Sequence, residues 1–245
     1  MIVIPMAGLS RRFAAAGYKQ PKYMLEAHGS SIFAHAVGSF SAFFDTLPFL
    51  FVLRDVAGTR AFVEQECRRL GVRDARIVAL DAPTRGQAET VALGLARSGV
   101  GAGPPVTIFN IDTFRPGFRF PDGWDMAAVD GYLEVFRGAG ANWSYVRPDP
   151  AGRNRVAETA EKRPISELCC TGLYHFRSAA LFAEAYEHLA AAGTAELPEL
   201  YVAPIYNRLI RRGCDIRYHL IGADEVIFCG VPAEYDASLR SGAGA

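Results

Sequence analysis

The chain has 245 residues, half of them hydrophobic and 21% charged, with 26 basic and 26 acidic side chains and a formal net charge of zero. This excludes disorder of the chain as a whole, which needs low hydrophobicity and high net charge. It also excludes a general nucleic-acid or anionic-membrane binder, which carries a basic excess.

Ile2 to Pro5 is a short apolar run closed by a Gly/Ser/Arg stretch and reads as a buried parallel strand. Ser31 to Phe44 is apolar at helical spacing through Ile32, Phe33, Ala36, Val37 and Phe40. Phe49–Leu53 reads as a strand, Thr59–Leu70 as a helix ended by Gly71, and Arg76–Leu80 as a strand. Gln87–Arg97 reads as a helix with Gly99 behind it, and Val106–Asn110 as a fourth strand. Strands alternating with helices over short connections predict a parallel α/β sheet.

The rhythm then changes. Ala127–Phe136, Asn142–Val146, Arg155–Lys162 and Cys169–Phe176 read as strands, and the alanine-rich run Ala179–Ala192 as a helix. Leu200–Arg212 is helical in spacing and stops at Gly213, and Ile216–Ile221 and Val226–Cys229 read as strands. The expectation is one domain over residues 1–240. A nucleotide-binding half would span about 1–115, a mixed half about 116–240 would close the same sheet, and 241–245 would fray. Cys67, Cys169, Cys170, Cys214 and Cys229 are odd in number and irregularly spaced, so reduced, buried thiols are expected rather than a disulfide framework. MIVIPMAG carries no basic segment and too short an apolar run for a signal sequence, and no stretch approaches the roughly 20 apolar residues of a membrane span.

The stretch most informative about chemistry is Met6-Ala7-Gly8-Leu9-Ser10-Arg11-Arg12-Phe13, directly after the first strand and followed by Gln20-Pro21-Lys22. Small residues there let backbone N–H groups converge on a phosphate. Arg11, Arg12 and Lys22 add positive charge at the strand end where open α/β sheets bind ligands. Pro21 restricts the backbone that presents Lys22. An ordinary connection with solvated arginines has the same local pattern. The GxxxxGK[ST] phosphate loop and the GxGxxG dinucleotide fingerprint are both absent from this stretch.

These residues resemble the sugar-phosphate nucleotidyltransferases (NDP-sugar pyrophosphorylases), in which a strand is followed by A-G-x-G-x-R and then P-K. The fit is close to the branch of capsule and lipopolysaccharide biosynthesis, which also includes phosphocholine-type cytidylyltransferases. Here the elements are Ala7-Gly8-Leu9-Ser10-Arg11-Arg12 and Pro21-Lys22, with Ser10 in place of the second glycine. Serine keeps its N–H, but a positive φ would cost it energy.

Gly86-Gln87-Ala88-Glu89-Thr90 is similar to the family's segment beside the nucleobase, and the Gln87 amide can read a base edge. Asn110-Ile111-Asp112 stands where the family has its metal-binding aspartate. Glu161-Lys162, Ser166 and Thr171-Gly172-Leu173-Tyr174-His175-Phe176 are similar to the elements that line the acceptor pocket. The family's D-x-G-T-P is here Phe228-Cys229-Gly230-Val231-Pro232, so Phe228 replaces a second metal carboxylate. Asp224 and Glu225 are nearby candidates to stand in, and the register requires neither.

The resemblance implies a single Rossmann-like, GT-A-type α/β domain with a mixed, mostly parallel sheet flanked by helices. It implies transfer of NMP from a nucleoside triphosphate to a sugar 1-phosphate or similar phosphorylated acceptor, with release of pyrophosphate, in a cytoplasmic enzyme of surface-polysaccharide synthesis. Arg12 and Lys22 would be catalytic, and Met6, Ala7, Gly8, Leu9, Ser10, Gly86 and Gln87 would bind the nucleotide. Glu161, Lys162 and Gly172 would bind the acceptor, and Asp112 would hold Mg2+. No nucleic-acid partner is expected, and a homo-oligomer is compatible with the sequence. Two other readings share the architecture. One is a glycosyltransferase using a nucleotide sugar, which usually shows D-x-D where Asn110 begins the motif here. The other is a catalytically silent nucleotide-sugar-binding protein. The five histidines show no ligand spacing and are given no role.

Overall fold

In a computed structural model, which describes residues 1–192 and 199–240, the chain opens with β1 (Ile2–Met6) and a short helix, α1 (Arg11–Ala15). A small hairpin of β2 (Glu26–Ala27) and β3 (Ser30–Ser31) leads into α2 (Ile32–Gly38). Then follow β4 (Phe49–Leu53), α3 (Thr59–Leu70), β5 (Ala75–Ala79), α4 (Gln87–Arg97), β6 (Val106–Phe109) and β7 (Thr113–Phe114). The second half contributes β8 (Gly131–Arg137), β9 (Ser144–Pro148), β10 (Val156–Glu161), β11 (Leu168–Phe176) and α5 (Ala179–Ala192). It ends with α6 (Tyr206–Arg211), β12 (Ile216–Leu220), β13 (Ile227–Phe228) and α7 (Pro232–Arg240). The tail at 241–245 lies outside the described residues.

The described residues form one nine-stranded mixed sheet, as expected. Strands β6, β1, β4 and β5 run parallel in that order. The fully buried β11 joins the two halves. It pairs antiparallel with β6 along Leu173–Phe176, meets β9 through Cys169 and Tyr145, and carries β8 on its other edge. Alternation along the strands sorts the core. Ile2, Ile4, Phe49 and Phe51 face the side covered by α2 and α3, whereas Val3, Leu50 and Val52 face α4, α5 and α6. Gly94 of α4 meets Val52 so closely that a Cβ would lie 2.2 Å from its Cγ2.

Several boundaries differ from expectation. The helix expected over 31–44 ends at Gly38, and only a 3-10 turn at Ser41–Phe43 follows. Ser39 Oγ donates to the His35 carbonyl and accepts from the Arg115 backbone N–H at 2.8 Å, tying the helix end to the β7 segment. The strand expected from Ala127 starts at Gly131, because Asp125 organises a turn, its carboxylate accepting from the Ala127 N–H. The helix expected over 200–212 begins as a 3-10 turn at Ala203–Ile205 that contains Pro204. Strand β13 pairs with β7 outside the main sheet, and helices α1 and α7 were not anticipated. All five cysteines are free thiols, four buried and Cys214 half-buried. No helix among the described residues is long and apolar enough to cross a membrane.

Candidate active site

The end of β1 and the segment after β6 open onto one cleft of about 800 Å3, and every residue expected at the site lines it. Ser10 adopts the left-handed conformation (φ 48°, ψ 34°), as the departure from glycine made costly. That turn starts α1, where the Phe13 and Ala14 N–H groups donate to the Ser10 carbonyl, and it brings Arg11 and Arg12 to the cleft wall. Ser10 Oγ in turn accepts from the Lys22 N–H at 3.4 Å, a long bond. Pro21 (φ −53°, ψ 140°) precedes the 3-10 turn that carries Lys22. The Lys22 ammonium is bonded to the Asp112 carboxylate, both side chains being largely buried.

Gly86 is needed for a close backbone approach. Its φ is 149°, and a Cβ there would lie 2.6 Å from both the backbone N and O of Leu200. The contact is a two-bond clamp, with Ala88 N–H donating to the Leu200 carbonyl and Leu200 N–H to the Arg85 carbonyl. The Gln87 amide, a candidate reader of a base edge, donates to Asn110 Oδ1. Asn110 lies across Gly172 (φ 99°), where β11 shifts register, and a Cβ on Gly172 would fall 2.3 Å from Asn110 Nδ2.

The acceptor-side residues form a separate wall. Glu161 accepts from the Ser144 hydroxyl, and burial pushes its pKa up, an effect Ser144 and Lys162 oppose and Glu199 reinforces. Lys162 has a left-handed backbone (φ 54°). Its ammonium lies 4.6 Å from the centre of the Tyr201 ring and is bonded to the phenol oxygen. Phe228 packs on Trp143 with ring centres 4.6 Å apart and on Phe136 at 5.2 Å.

The donor set around Asp112 fits a hard divalent cation. The point where a Cβ on Gly230 would sit is 3.1 Å from Asp112 Oδ2 and 3.4 Å from Glu234 Oε2. The two carboxylates thus flank Gly230, Asp112 bonded to the Lys22 ammonium and Glu234 Oε2 accepting from the Gly230 and Val231 N–H groups. Among the described residues no cluster of three or more His, Cys, Asp or Glu side chains forms. Carboxylate oxygens such as these suit Mg2+, which keeps waters and takes substrate phosphates as ligands.

Beneath the floor, Arg115 and Glu134 form a buried ion pair at 3.2 Å, and Thr171 Oγ1 donates to Glu134 at 3.1 Å. Arg115 also binds Glu225 at 3.1 Å. This links the segment after Asp112 to the β11 bulge at Gly172.

A comparison of this fold with solved structures finds a nucleoside-diphosphate-sugar pyrophosphorylase from Vibrio cholerae RC9, 55% identical, matching over 98% of this chain and 100% of that one with a TM-score of 0.93. The chain belongs to the nucleoside-diphosphate-sugar pyrophosphorylase family. The protein is accordingly an enzyme. A UDP-glucose pyrophosphorylase complexed with UDP-glucose (14% identity, TM-score 0.73, 98% and 97% of the two chains) shares the fold. So does an inositol-1-phosphate CTP transferase from T. maritima (14% identity, TM-score 0.71, 100% and 97%). Scans against protein-family models and curated proteins found no match.

In this chain neither acid raised as a stand-in for Phe228 lines the cleft. Glu225 accepts from the Gly222 N–H at 2.8 Å and pairs with Arg115, and Asp224 lies beside Gly222. The carboxylate beside Asp112 is Glu234, which sequence reasoning missed. Its only signal was a glutamate two residues after Pro232, a helix-start pattern, and Glu234 does cap α7 by accepting from the Gly230 and Val231 N–H groups. Trp143, Glu199 and Tyr201 also line the cleft unannounced. None of the five histidines lines it.

Proposed function

We propose that the cleft transfers a nucleoside monophosphate from a nucleoside triphosphate to a phosphorylated acceptor, a sugar 1-phosphate or a similar phosphomonoester, with release of pyrophosphate. The observation that carries this reading is the convergence of Arg12, Lys22, Asp112, Glu161 and Lys162, from four separate segments, on one cleft at the end of β1. The nucleobase and ribose would lie by Gly8, Gly86 and Gln87, and the acceptor by Glu161, Lys162 and Gly172. The residues 1–115 and 116–240 would then form the nucleotide and acceptor halves of one domain.

The reaction needs no protein nucleophile. An oxygen of the acceptor phosphate attacks the α-phosphorus, a new P–O bond forms, and the bond from the α-phosphorus to its bridging oxygen breaks. The electron pair leaves with pyrophosphate. The attacking oxygen is already anionic, so no general base is required. Arg12 and the loop amides would hold the β- and γ-phosphates, Lys22 would neutralise charge on the α-phosphate, and Lys162 would hold the acceptor phosphate. Catalysis is then positioning and charge stabilisation. Mg2+ held by Asp112, with Glu234 beside it, would supply further neutralisation of the triphosphate. We assign the product to surface-polysaccharide precursor synthesis, in the cytoplasm where triphosphates are made.

Pyrophosphate release tests this reading. It should require both a triphosphate and a phosphorylated acceptor, stop in excess chelator and return with Mg2+. Undiminished turnover in chelator refutes the metal, and absence of release with every acceptor refutes the reaction.

A further inference from the structure

The two acids that flank Gly230 are carried by a frame that is weak by itself. Asp112 directly precedes β7 and Glu234 follows β13. These strands have two residues each and form a two-stranded sheet of their own. The Cys229 N–H donates to the Asp112 carbonyl at 2.8 Å and extends the pairing by one bond. An isolated pair of strands is marginally stable in water. Further contacts have to fix where Asp112 and Glu234 stand.

Arg115, directly after β7, makes them. Its Nε donates to the Glu134 carboxylate on β8 of the main sheet at 3.2 Å. Its Nη2 pairs with the Glu225 carboxylate at 3.1 Å, and its Nη1 donates to the Glu225 carbonyl at 3.4 Å, on the segment that enters β13. One guanidinium thus ties β7, the start of β13 and the main sheet together. Glu134 is fully buried and Arg115 nearly so, and neither lines the cleft. Replacing a buried ion pair by apolar side chains is often neutral or stabilising, so stability alone gives no reason for two charges here. The planar fork of arginine gives a geometric one, since it holds two acids in fixed directions at once.

We propose that Arg115, held by Glu134, is a positioning residue that locks β7 to the segment entering β13 and so sets the approach of Asp112 to Glu234. The proposal rests on the nucleotidyl-transfer reading, in which Asp112 meets the divalent cation of the triphosphate.

The test is binding rather than turnover. Binding of the Mn2+ complexes of CTP, UTP, dTTP, ATP and GTP in turn, without acceptor, is followed by water-proton relaxation. Binding of the same triphosphates in excess EDTA is followed by calorimetry. Arg115→Lys keeps a cation beside Glu134 but cannot hold Glu225 as well. Glu225→Gln leaves one oxygen where the carboxylate serves both the Gly222 N–H and Arg115. Each variant should weaken binding of the Mn2+ complex by about tenfold and leave metal-free binding within about twofold. In an Asp112→Ala background Glu225→Gln should add nothing, because its effect runs through Asp112. Glu225 is exposed, so that variant carries the test even where Arg115→Lys fails to fold. Wild-type affinity in Glu225→Gln, an equal loss with and without Mn2+, or a full further loss in the Asp112→Ala background overturns the proposal and leaves nucleotidyl transfer standing. A wild-type protein that binds none of the Mn2+ complexes overturns both.

Discussion

The ammonium of Lys22 is bonded to the carboxylate of Asp112, which lies 90 residues further along the chain. The pair joins the segment after β1 to the segment after β6. Both residues sit at strand ends of a parallel sheet, the place where such sheets bind ligands. Lys22 is thus paired with Asp112, and on the proposed reading an α-phosphate would take up its charge during transfer.

The first prediction concerns this pair. The Lys22 charge should matter more in the transition state, because the α-phosphate gains charge density there. Lys22→Met keeps most of the stem and should lower kcat by about two to three orders of magnitude while raising KM far less. Lys22→Arg should not rescue fully, since a planar fork is not a compact point charge. Asp112→Ala should cut turnover comparably. The pair is partly solvated, so either change should alter stability by about 1 kcal/mol or less. Steady-state kinetics and denaturant melts on the three variants check this. Wild-type kcat in Lys22→Met means that the phosphate loop is misread.

The second prediction follows from the left-handed backbone of Ser10 (φ 48°). Glycine adopts this region without steric strain, and only a long bond from the Lys22 N–H is lost. Ser10→Gly should therefore stabilise the fold by about 0.5–1 kcal/mol, the relief of strain outweighing the entropy of glycine. A fall in melting temperature would show that the Ser10 hydroxyl contributes more than the strain costs.

Gly86→Ala should act in the opposite direction. A methyl group there meets the backbone of Leu200, which cannot move without breaking the Ala88–Leu200 clamp. The expected loss is on the order of 2–3 kcal/mol, with a raised KM for the triphosphate. Melts and kinetics of the variant decide it, and wild-type stability would mean that the clamp yields freely.

The sheet and its helices were legible because burial leaves plain patterns. Phe49–Leu53 is apolar without a break because both of its faces are covered, and its bounds were read correctly. Gly71, in the left-handed region at φ 80°, ends α3 where expected. The loop after β1 stood out in the sequence because Ala7-Gly8 leave the backbone bare and Pro21 fixes it before Lys22. Glu234 was not, because its approach to Asp112 depends on β13 pairing with β7, a contact across more than a hundred residues. Trp143, Glu199 and Tyr201 gave no local signal either. They come to one cleft only after β9, β10 and the segment before α6 have packed. Nothing local to Gln87, a candidate reader of a base edge, shows that its amide donates to Asn110.

The pH dependence of stability should carry a mark of His175. This side chain is buried on β11, its ring stacked on Tyr132 at 5.3 Å and its Nδ1 2.9 Å from Thr107 Oγ1. Burial, reinforced by the charge of the N-terminus, lowers its pKa from 6.5 to about 4. Between those values the unfolded chain binds the proton and the folded chain does not. The contribution is therefore complete above pH 6.5 and is lost as pH falls towards 4, by up to about 3 kcal/mol. His175→Phe should be less stable at pH 7, where Thr107 loses its partner, but should show a flatter profile from pH 6.5 to 4. Urea midpoints across that range test it, and identical slopes would exclude His175 as the source.

The most direct measurement follows the phosphorus atoms. The protein, Mg2+ and an accepted phosphomonoester are incubated with triphosphate labelled at either the α- or the γ-phosphorus, and the products are separated. Transfer at the α-phosphorus predicts α-label in a new nucleoside-diphosphate-linked product and γ-label in pyrophosphate alone, both lost in Lys22→Met. Label from the γ-phosphorus on the acceptor, or α-label found only in free nucleotide, would contradict nucleotidyl transfer at this site.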